Sequence, residues 1–281
     1  MLLTLVFLLA LIGGLGLCGL TGAFASMAWL YVLPLGTLVG VVLFGGLAFG
    51  FLCLICARVD TNKPQTQDSK LFRTLIPLYI GALIPLLRVR MHTVGLEKTP
   101  KEGRFLLVCN HLALMDPVLL LYYFRHSQLA FLSKQENKDM FLIGKIMHRL
   151  QCQLVNREND REALKTILRC INLLKNDKAS VAVFPEGYCS RDFKLHPFRA
   201  GVLKIALKAK VPIVVCTLRN TQCIFPNAKR LKPTKVELHL VEVLQPEDYQ
   251  GMTTTELSHR VHGLMAQDLG KDLVLPTQEE P

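Results

Sequence analysis

Residues Met1 to Ala57 contain no Asp, Glu, Lys, Arg or His, and the first charged side chain is Arg58. An apolar helix crosses the hydrocarbon core of a bilayer in about 20 residues, so this stretch is long enough for two passes. The expected spans lie near Leu2–Leu20 and Leu35–Ala57. The link between them holds Gly19, Gly22, Trp29, Tyr31 and Pro34, and its aromatic rings suit a membrane interface. A secretory signal is a competing reading, because Ala23-Phe24-Ala25 looks like a cleavage site. Against it, no basic residue precedes the apolar run and a second apolar run comes after. A single tilted or broken helix lying partly in the interface is the other alternative. Two spans return the chain to its starting side. Arg58, Lys63, Lys70 and Arg73 then place that side in the cytoplasm by the positive-inside rule.

Charge falls elsewhere. Residues 58–264 hold 32 basic and 18 acidic side chains, a net of +14, whereas 265–281 hold one Lys and four acids. The apolar stretch excludes a simple soluble enzyme, and its length excludes a polytopic carrier. The chain beyond Arg58 is long enough for one folded domain with a real core. The basic residues are not interleaved with stacking aromatics, so nucleic acid is not an expected partner. Nine cysteines in a chain facing the cytoplasm read as reduced thiols. Cys53-x-x-Cys56 lies inside the apolar run with no second pair to answer it, which favours packing over a metal site.

Beyond the anchor, residues 60–70 read as a polar linker. Leu71–Leu87 is apolar but interrupted by Arg73, Pro77, Gly81 and Pro85, a pattern that suggests an interfacial or re-entrant helix pair. Short apolar runs then alternate with helical patterns. Strands are expected at Phe105–Cys109, Leu129–Leu132, Gln153–Val155, Val181–Phe184, Ile213–Leu218 and Val236–Val243. Helices are expected at Asp116–Phe124, Lys138–Leu150, Asp160–Leu174 and Gly201–Lys210. In the third of these, Leu164, Ile167, Leu168, Ile171 and Leu174 fall on one face, and Asn159 with Glu162 gives a start signal. Thr253 and Glu256 open a last amphipathic helix. The alternation implies an α/β fold with a largely parallel central sheet, preceded by an N-terminal helical membrane anchor. The expected division is an anchor over 1–57, a linker and interfacial helix pair over 58–90, the α/β domain over 91–250, and a C-terminal helix with a disordered acidic tail over 251–281.

In a parallel sheet, the loops at the carboxyl ends of the strands line the active crevice. Three such loops carry ionisable groups here: Asn110-His111-Leu112-Ala113-Leu114-Met115-Asp116, Asn156-Arg157-Glu158, and Pro185-Glu186-Gly187-Tyr188-Cys189-Ser190-Arg191. A neutral imidazole is the natural general base for a hydroxyl near pH 7, and a carboxylate on its other nitrogen fixes the tautomer. His111 and Asp116 have the spacing for that pair. Asp116 also suits the N-cap of the next helix, with Pro117 at its first position. Glu186 and Gly187 read either as a simple turn or as a place where backbone approaches a ligand closely. Arg157 suits a phosphate clamp or a pair with Glu158. Arg191, Lys194, His196 and Arg199 form a basic stretch that reads by default as a solvated face and, beside a membrane, as one that meets anionic headgroups.

Taken in order, Asn110-His111-x-x-x-x-Asp116, the run ending at Asn156-Arg157, Phe184-Pro185-Glu186-Gly187 and Val211-Pro212-Ile213 resemble the four blocks of the glycerolipid acyltransferases. The nearest resemblance is to the 1-acyl-sn-glycerol-3-phosphate acyltransferases, over roughly residues 90–245, and Pro197-Phe198-Arg199-x-Gly201 resembles the segment between the third and fourth blocks. The resemblance implies acyl transfer from acyl-CoA or acyl-carrier protein to the free hydroxyl of a lysophospholipid, giving phosphatidic acid. It implies no cofactor or metal, and partners limited to the bilayer, the lysolipid acceptor and the thioester donor. His111 and Asp116 would be catalytic. Asn110, Arg157, Glu186, Gly187, Arg191 and Lys194 would bind substrate; Cys189 and Ser190 are not the expected nucleophiles, with a thiol in this loop leaving a covalent route as the alternative. One departure stands out. The family usually continues its third block with Thr-Arg-Ser, and this chain has Tyr188-Cys189-Ser190, leaving Arg191 as the candidate replacement. A different lysolipid acceptor, or a silent lipid-binding protein of the same fold, are the alternatives. The second block is also loose, with Gln151-Cys152-Gln153-Leu154-Val155 before its Asn-Arg.

Overall fold

A computed structural model describes residues 1–63, 68–156 and 159–275. The chain divides into two compact units, Met1–Lys63 and Pro64–Pro281. The first holds helices α1 (Leu2–Leu20) and α2 (Trp29–Ala57), each long and apolar enough to cross a membrane. α2 starts at Trp29 rather than near Leu35, so Trp29, Tyr31 and Pro34 belong to the helix and the link is shorter than expected. The glycines that weaken these helices let them touch: a Cβ on Gly40 would lie 2.8 Å from the Ala10 Cα. Without a hydrophobic effect between helices in lipid, such close backbone approach is what holds a pair together.

The second unit opens with α3 (Lys70–Leu86) and β1 (Val89–Val94). Next come β2 (Leu106–Cys109), α4 (Met115–Tyr123), β3 (Leu129–Lys134), α5 (Ile143–Arg149), β4 (Gln153–Val155) and α6 (Asp160–Lys175). The chain ends with β5 (Ser180–Val183), α7 (Lys204–Ala209), β6 (Ile213–Arg219), α8 (Ile224–Lys229), β7 (Thr234–Leu244) and α9 (Thr254–Leu269). The seven strands form one sheet in the order β1-β7-β6-β2-β5-β3-β4, parallel except where β6 meets β7. Central strands are apolar on both faces, as a doubly covered sheet requires. Leu106, Val108, Val181 and Val183 face α6, α7 and α9, while Leu107, Cys109 and Ala182 face α4.

Several expectations change. The stretch after Leu71 is one helix, not a pair. α3 buries Phe72, Ile76 and Ile80 on one side and packs on α4 and β1, with Pro77 and Pro85 inside it. Arg73 ties it down by donating to the carbonyls of Leu129 (2.5 Å) and Leu150 (2.9 Å), with Asp68 as its ion-pair partner. β1 escaped the sequence because Val89 alone among its residues is buried. The expected helix from Lys138 to Leu150 is a 3₁₀ turn, Gln135–Asp139, followed by α5, with Leu142 at φ 58° between them. α6 starts where Asn159 predicts, its side chain accepting from the Glu162 N–H at 3.2 Å. Its stripe of leucines is wider than its contact face, however. Cys170, Ile171, Leu173 and Leu174 are buried, while Leu164 and Leu168 point outward. The last helix, α9, carries the expected Thr253–Glu256 capping box. Disorder is expected over the final dozen residues. However, 270–275 are ordered, with a 3₁₀ turn at Lys271–Leu273 and the Leu275 N–H donating to the Leu195 carbonyl at 3.2 Å, while 276–281 lie outside the described residues.

Candidate active site

β2 runs fully buried to Cys109, and the next side chain, Asn110, is 1% exposed. Its amide donates to the Leu218 carbonyl at 2.9 Å and accepts from the Leu218 N–H at 2.8 Å. Both amide atoms are engaged, so Asn110 fastens the start of the loop to β6.

The loop then wraps around a carboxylate. Asp116 is fully buried, and its Oδ2 accepts from the backbone N–H groups of Leu112 (2.6 Å) and Ala113 (2.8 Å) and stands 2.8 Å from His111 Nδ1. α4 begins at Met115 with Leu114 before it, so Asp116 sits in the first turn and is not the N-cap. Oδ2 takes all three contacts, and Oδ1 has no hydrogen-bond partner among the described residues. Held at Nδ1 by a carboxylate, the imidazole keeps its proton there and presents Nε2 as an acceptor. The ring is fixed on its flat side by Phe184, with centroids 4.2 Å apart and planes 17° apart, and Phe184 stacks in turn on Phe131.

Glu186 lies just past β5 and is 1% exposed. Its Oε1 accepts from the His111 N–H at 2.9 Å and its Oε2 from the His196 N–H at 3.0 Å. Burial pushes its pKa from the ordinary 4.5 up to about 7, against the pull of those two N–H donors and the two histidines. A second stitch joins the same loops, the Ser190 N–H donating to the His111 carbonyl at 2.8 Å. Gly187 has φ 85°, and a Cβ there would lie 3.0 Å from Cδ and Nε of Arg199, so the arginine stem crosses the bare face of the glycine. Ser190 is buried and donates its hydroxyl to Asp192, which also meets His196 Nε2 at 2.8 Å. Those contacts hold the Asp192 carboxyl far below its ordinary range. The Cys189 thiol is pushed up by burial and by the negative Asp116 and Glu186, with Lys134 acting the other way. A thiol held in its protonated form is a poor nucleophile.

His111, Asp116, Glu186 and Gly187 are therefore brought together at one edge of the sheet, with Asn110 behind them. Arg191 is exposed and outside the hydrogen bonds of the described residues, and Lys194 joins the cluster only through its backbone N–H, which donates to Asp192 at 3.2 Å. Arg157, with Glu158, lies outside the described residues. Two cations have more to do here than the sequence suggested. Lys134 is the last residue of β3, a strand expected to stop at Leu132, so its place at the carboxyl edge went unseen. Arg199 read as part of a solvated stretch, although the Pro-Phe-Arg-x-Gly pattern was the signal for it. Among the described residues, no group of three His, Cys, Asp or Glu side chains is placed to hold a metal ion.

A carboxylate-held histidine at the carboxyl edge of a mainly parallel α/β sheet has the geometry of a candidate general base. Residues 90–219 match the model of the Acyltransferase family. The chain is 30% identical over 183 residues to the probable 1-acyl-sn-glycerol-3-phosphate acyltransferase of Mycoplasma pneumoniae, covering 63% of this chain and 65% of that protein. It is 27% identical over 173 residues to the 1-acyl-sn-glycerol-3-phosphate acyltransferase of Borreliella burgdorferi, covering 60% of this chain and 68% of that protein. The chain thus spans about two thirds of the length of these relatives. Among solved structures it is similar to the 1-acyl-sn-glycerophosphate (LPA) acyltransferase, PlsC, from Thermotoga maritima, with a TM-score of 0.62 and 26% identity over 78% of this chain and 86% of that one.

Proposed function

We propose that the chain transfers a fatty acyl group from an acyl thioester, acyl-CoA or acyl-carrier protein, to the free hydroxyl of 1-acyl-glycerol-3-phosphate, yielding phosphatidic acid. The observation that carries the reading is His111 held through Nδ1 by the buried Asp116, 2.8 Å away, within a domain whose named relatives are 1-acyl-sn-glycerol-3-phosphate acyltransferases. His111 Nε2 takes the hydroxyl proton as the oxygen attacks the thioester carbonyl. The tetrahedral intermediate then expels the thiolate, which recovers that proton from Nε2 and leaves as the free thiol. Asp116 keeps the imidazole in the right tautomer and stabilises it while it carries the extra proton. Transfer is direct, and a protonated Cys189 thiol is consistent with a site that forms no acyl-cysteine.

Glu186 and Asn110 serve this reading as positioning residues, because their polar atoms are taken up by His111, His196 and Leu218. The acceptor's phosphate falls to Arg191, Lys194, Lys134 and Arg199 at the same edge, with Arg157 a candidate from the sequence alone. α1 and α2 anchor the chain in the bilayer, with the catalytic unit on the cytoplasmic face. The exposed thiol of Cys189, where the family usually has arginine, favours a second reading in which the acceptor is a different lysolipid.

An acceptor panel with purified full chain tests both, scored by release of free thiol from acyl-CoA and from acyl-carrier protein. Lysophosphatidate should be the preferred acceptor, and Cys189→Arg should raise that preference. A strong preference for an acceptor without a phosphomonoester would sink the main reading.

A further inference from the structure

Beside the catalytic loop, on the side of β2 that faces β6, the fold leaves a cavity of about 250 Å³ that no step of the proposed reaction uses. Asn110 and Leu112, the chain neighbours of His111, form one wall. Arg219, which ends β6, and Gln222 in the turn after it form a second wall. Leu269 and Leu273 close the cavity from the C-terminal segment.

Two of these walls carry unmet hydrogen-bonding groups. Arg219 Nε and Gln222 Oε1 are buried and have no hydrogen-bond partner among the described residues, although Arg219 is fastened elsewhere, its Nη2 donating to the Asp268 carbonyl. The first atom is a donor and the second an acceptor. Leaving both bare costs stability that a bound group with one acceptor and one donor would recover.

Charge, polarity and size then choose the ligand. An anion gains little, because Glu237 at 3.7 Å and Asp268 at 3.5 Å already flank the Arg219 guanidinium, two carboxylates against one cation. An acyl chain would leave both polar atoms bare. The volume lies below the roughly 300–1,000 Å³ of sites that enclose a whole small ligand, so it admits a slender segment of a larger molecule. A neutral chain of amides and methylenes meets all three conditions, with its methylenes against Leu112, Leu218, Leu269 and Leu273.

We infer that the cavity holds the pantetheine arm of the thioester donor, an amide carbonyl of the arm turned to Arg219 and an amide N–H to Gln222. The inference rests on the acyl transfer proposed above and adds a site for the donor. Acyl-CoA and acyl-carrier protein share this arm, and it is joined directly to the reacting thioester. Its site therefore has to adjoin His111, as the wall of Asn110 and Leu112 makes this cavity do.

Two variants of the full chain test it. Gln222→Met keeps the length of the side chain and removes the acceptor, while Leu273→Trp fills the space. Gln222→Met should raise KM about 5–10-fold for acyl-CoA and for acyl-carrier protein alike, and leave KM for lysophosphatidate within about twofold. Leu273→Trp should raise both donor KM values by more than about tenfold. With an acyl thioester of mercaptoethanol, which lacks the arm, parent and variants should agree within about twofold. A rise with acyl-CoA alone would place the nucleotide in the cavity and overturn the inference. An equal rise for lysophosphatidate would give the cavity to the acceptor and overturn it too.

Calorimetry with S-methyl-pantetheine reads the site without turnover. The parent should bind it, and Gln222→Met should weaken binding about 5–10-fold. Should Leu273→Trp fail to fold, Gln222→Met decides alone. Unchanged donor KM in a folded Leu273→Trp, or no binding of S-methyl-pantetheine by the parent, overturns the inference and leaves acyl transfer standing. If the parent transfers no acyl group to any acceptor, yet S-methyl-pantetheine binds and Gln222→Met weakens it, the proposed function fails and the cavity assignment stands.

Discussion

Where β2 and β5 begin, polar groups are satisfied in the open: Arg104 donates to the Asp177 carbonyl at 3.0 Å and to Gln128 at 2.9 Å, and its guanidinium pairs with an exposed Asp177. Where the same strands end, two carboxylates are buried, Asp116 fully and Glu186 to 1% exposure, and each is held by backbone N–H groups of the loops instead of by an arginine or lysine. Burying an acid without a full counter-charge costs stability. The first edge has the arrangement selected for folding alone. The second bears a cost of the kind that accompanies functional sites.

Substitutions at the two edges should separate accordingly. His111→Ala should reduce thiol release by about 10²–10⁴-fold, the usual weight of a positioned general base. Its urea midpoint should fall less than that of Asp116→Ala, because Asp116 keeps the N–H groups of Leu112 and Ala113 when the ring is removed. A loss of only a few-fold would break the assignment. Asp116→Ala should lower transfer by at least about 10²-fold and also cost about 2–4 kcal/mol in urea unfolding, since it strands the N–H groups of Leu112 and Ala113 together with Nδ1 of His111.

Glu186→Gln should act more mildly and through pH. Because the folded state raises the Glu186 pKa to about 7, its contribution to stability is greatest below the ordinary value of 4.5 and declines as pH rises toward 7. The parent should therefore lose stability relative to the glutamine variant between about pH 5 and pH 7, and urea titrations of both across that range check the sign. A parallel pair of curves would mean that Glu186 is already ionised in the fold at pH 5. The smallest effect belongs to the first edge. Arg104→Ala should leave transfer within about twofold and cost about 1 kcal/mol or less, and a large loss of activity would erase the contrast.

Legibility from sequence divides the molecule in the same way. β2, β5 and β6 are covered on both faces, so their apolar runs were unmistakable, and a strand's carboxyl end points to its loop. His111, Asp116 and Glu186 could be found that way. β1 was invisible because an edge strand with one buried residue has no pattern to read, and its pairing with β7 is long-range. The leucines of α6 misled because helical periodicity counts apolar residues without knowing how wide the contact face is. Lys134 was missed through a strand end two residues short. For Asn110 and Glu186, the residues were visible but not their hydrogen bonds, which decide between touching a ligand and holding a loop. Residue type alone carries no information about which backbone groups a folded loop will leave in need of an acceptor.

The bridge made by Glu186 has a consequence for how this site can change over generations. One carboxylate receives the N–H of His111 with one oxygen and the N–H of His196 with the other, and the Ser190 N–H closes a second link back to the His111 carbonyl. The segments around 111–116 and 186–196 are thus mechanically one piece, though separated widely along the chain. Drift in either should be tolerated only with matching drift in the other. Transplanting one of these loops into a relative should fail where transplanting both succeeds, and new acceptor preferences should arise by paired substitutions spanning the two segments.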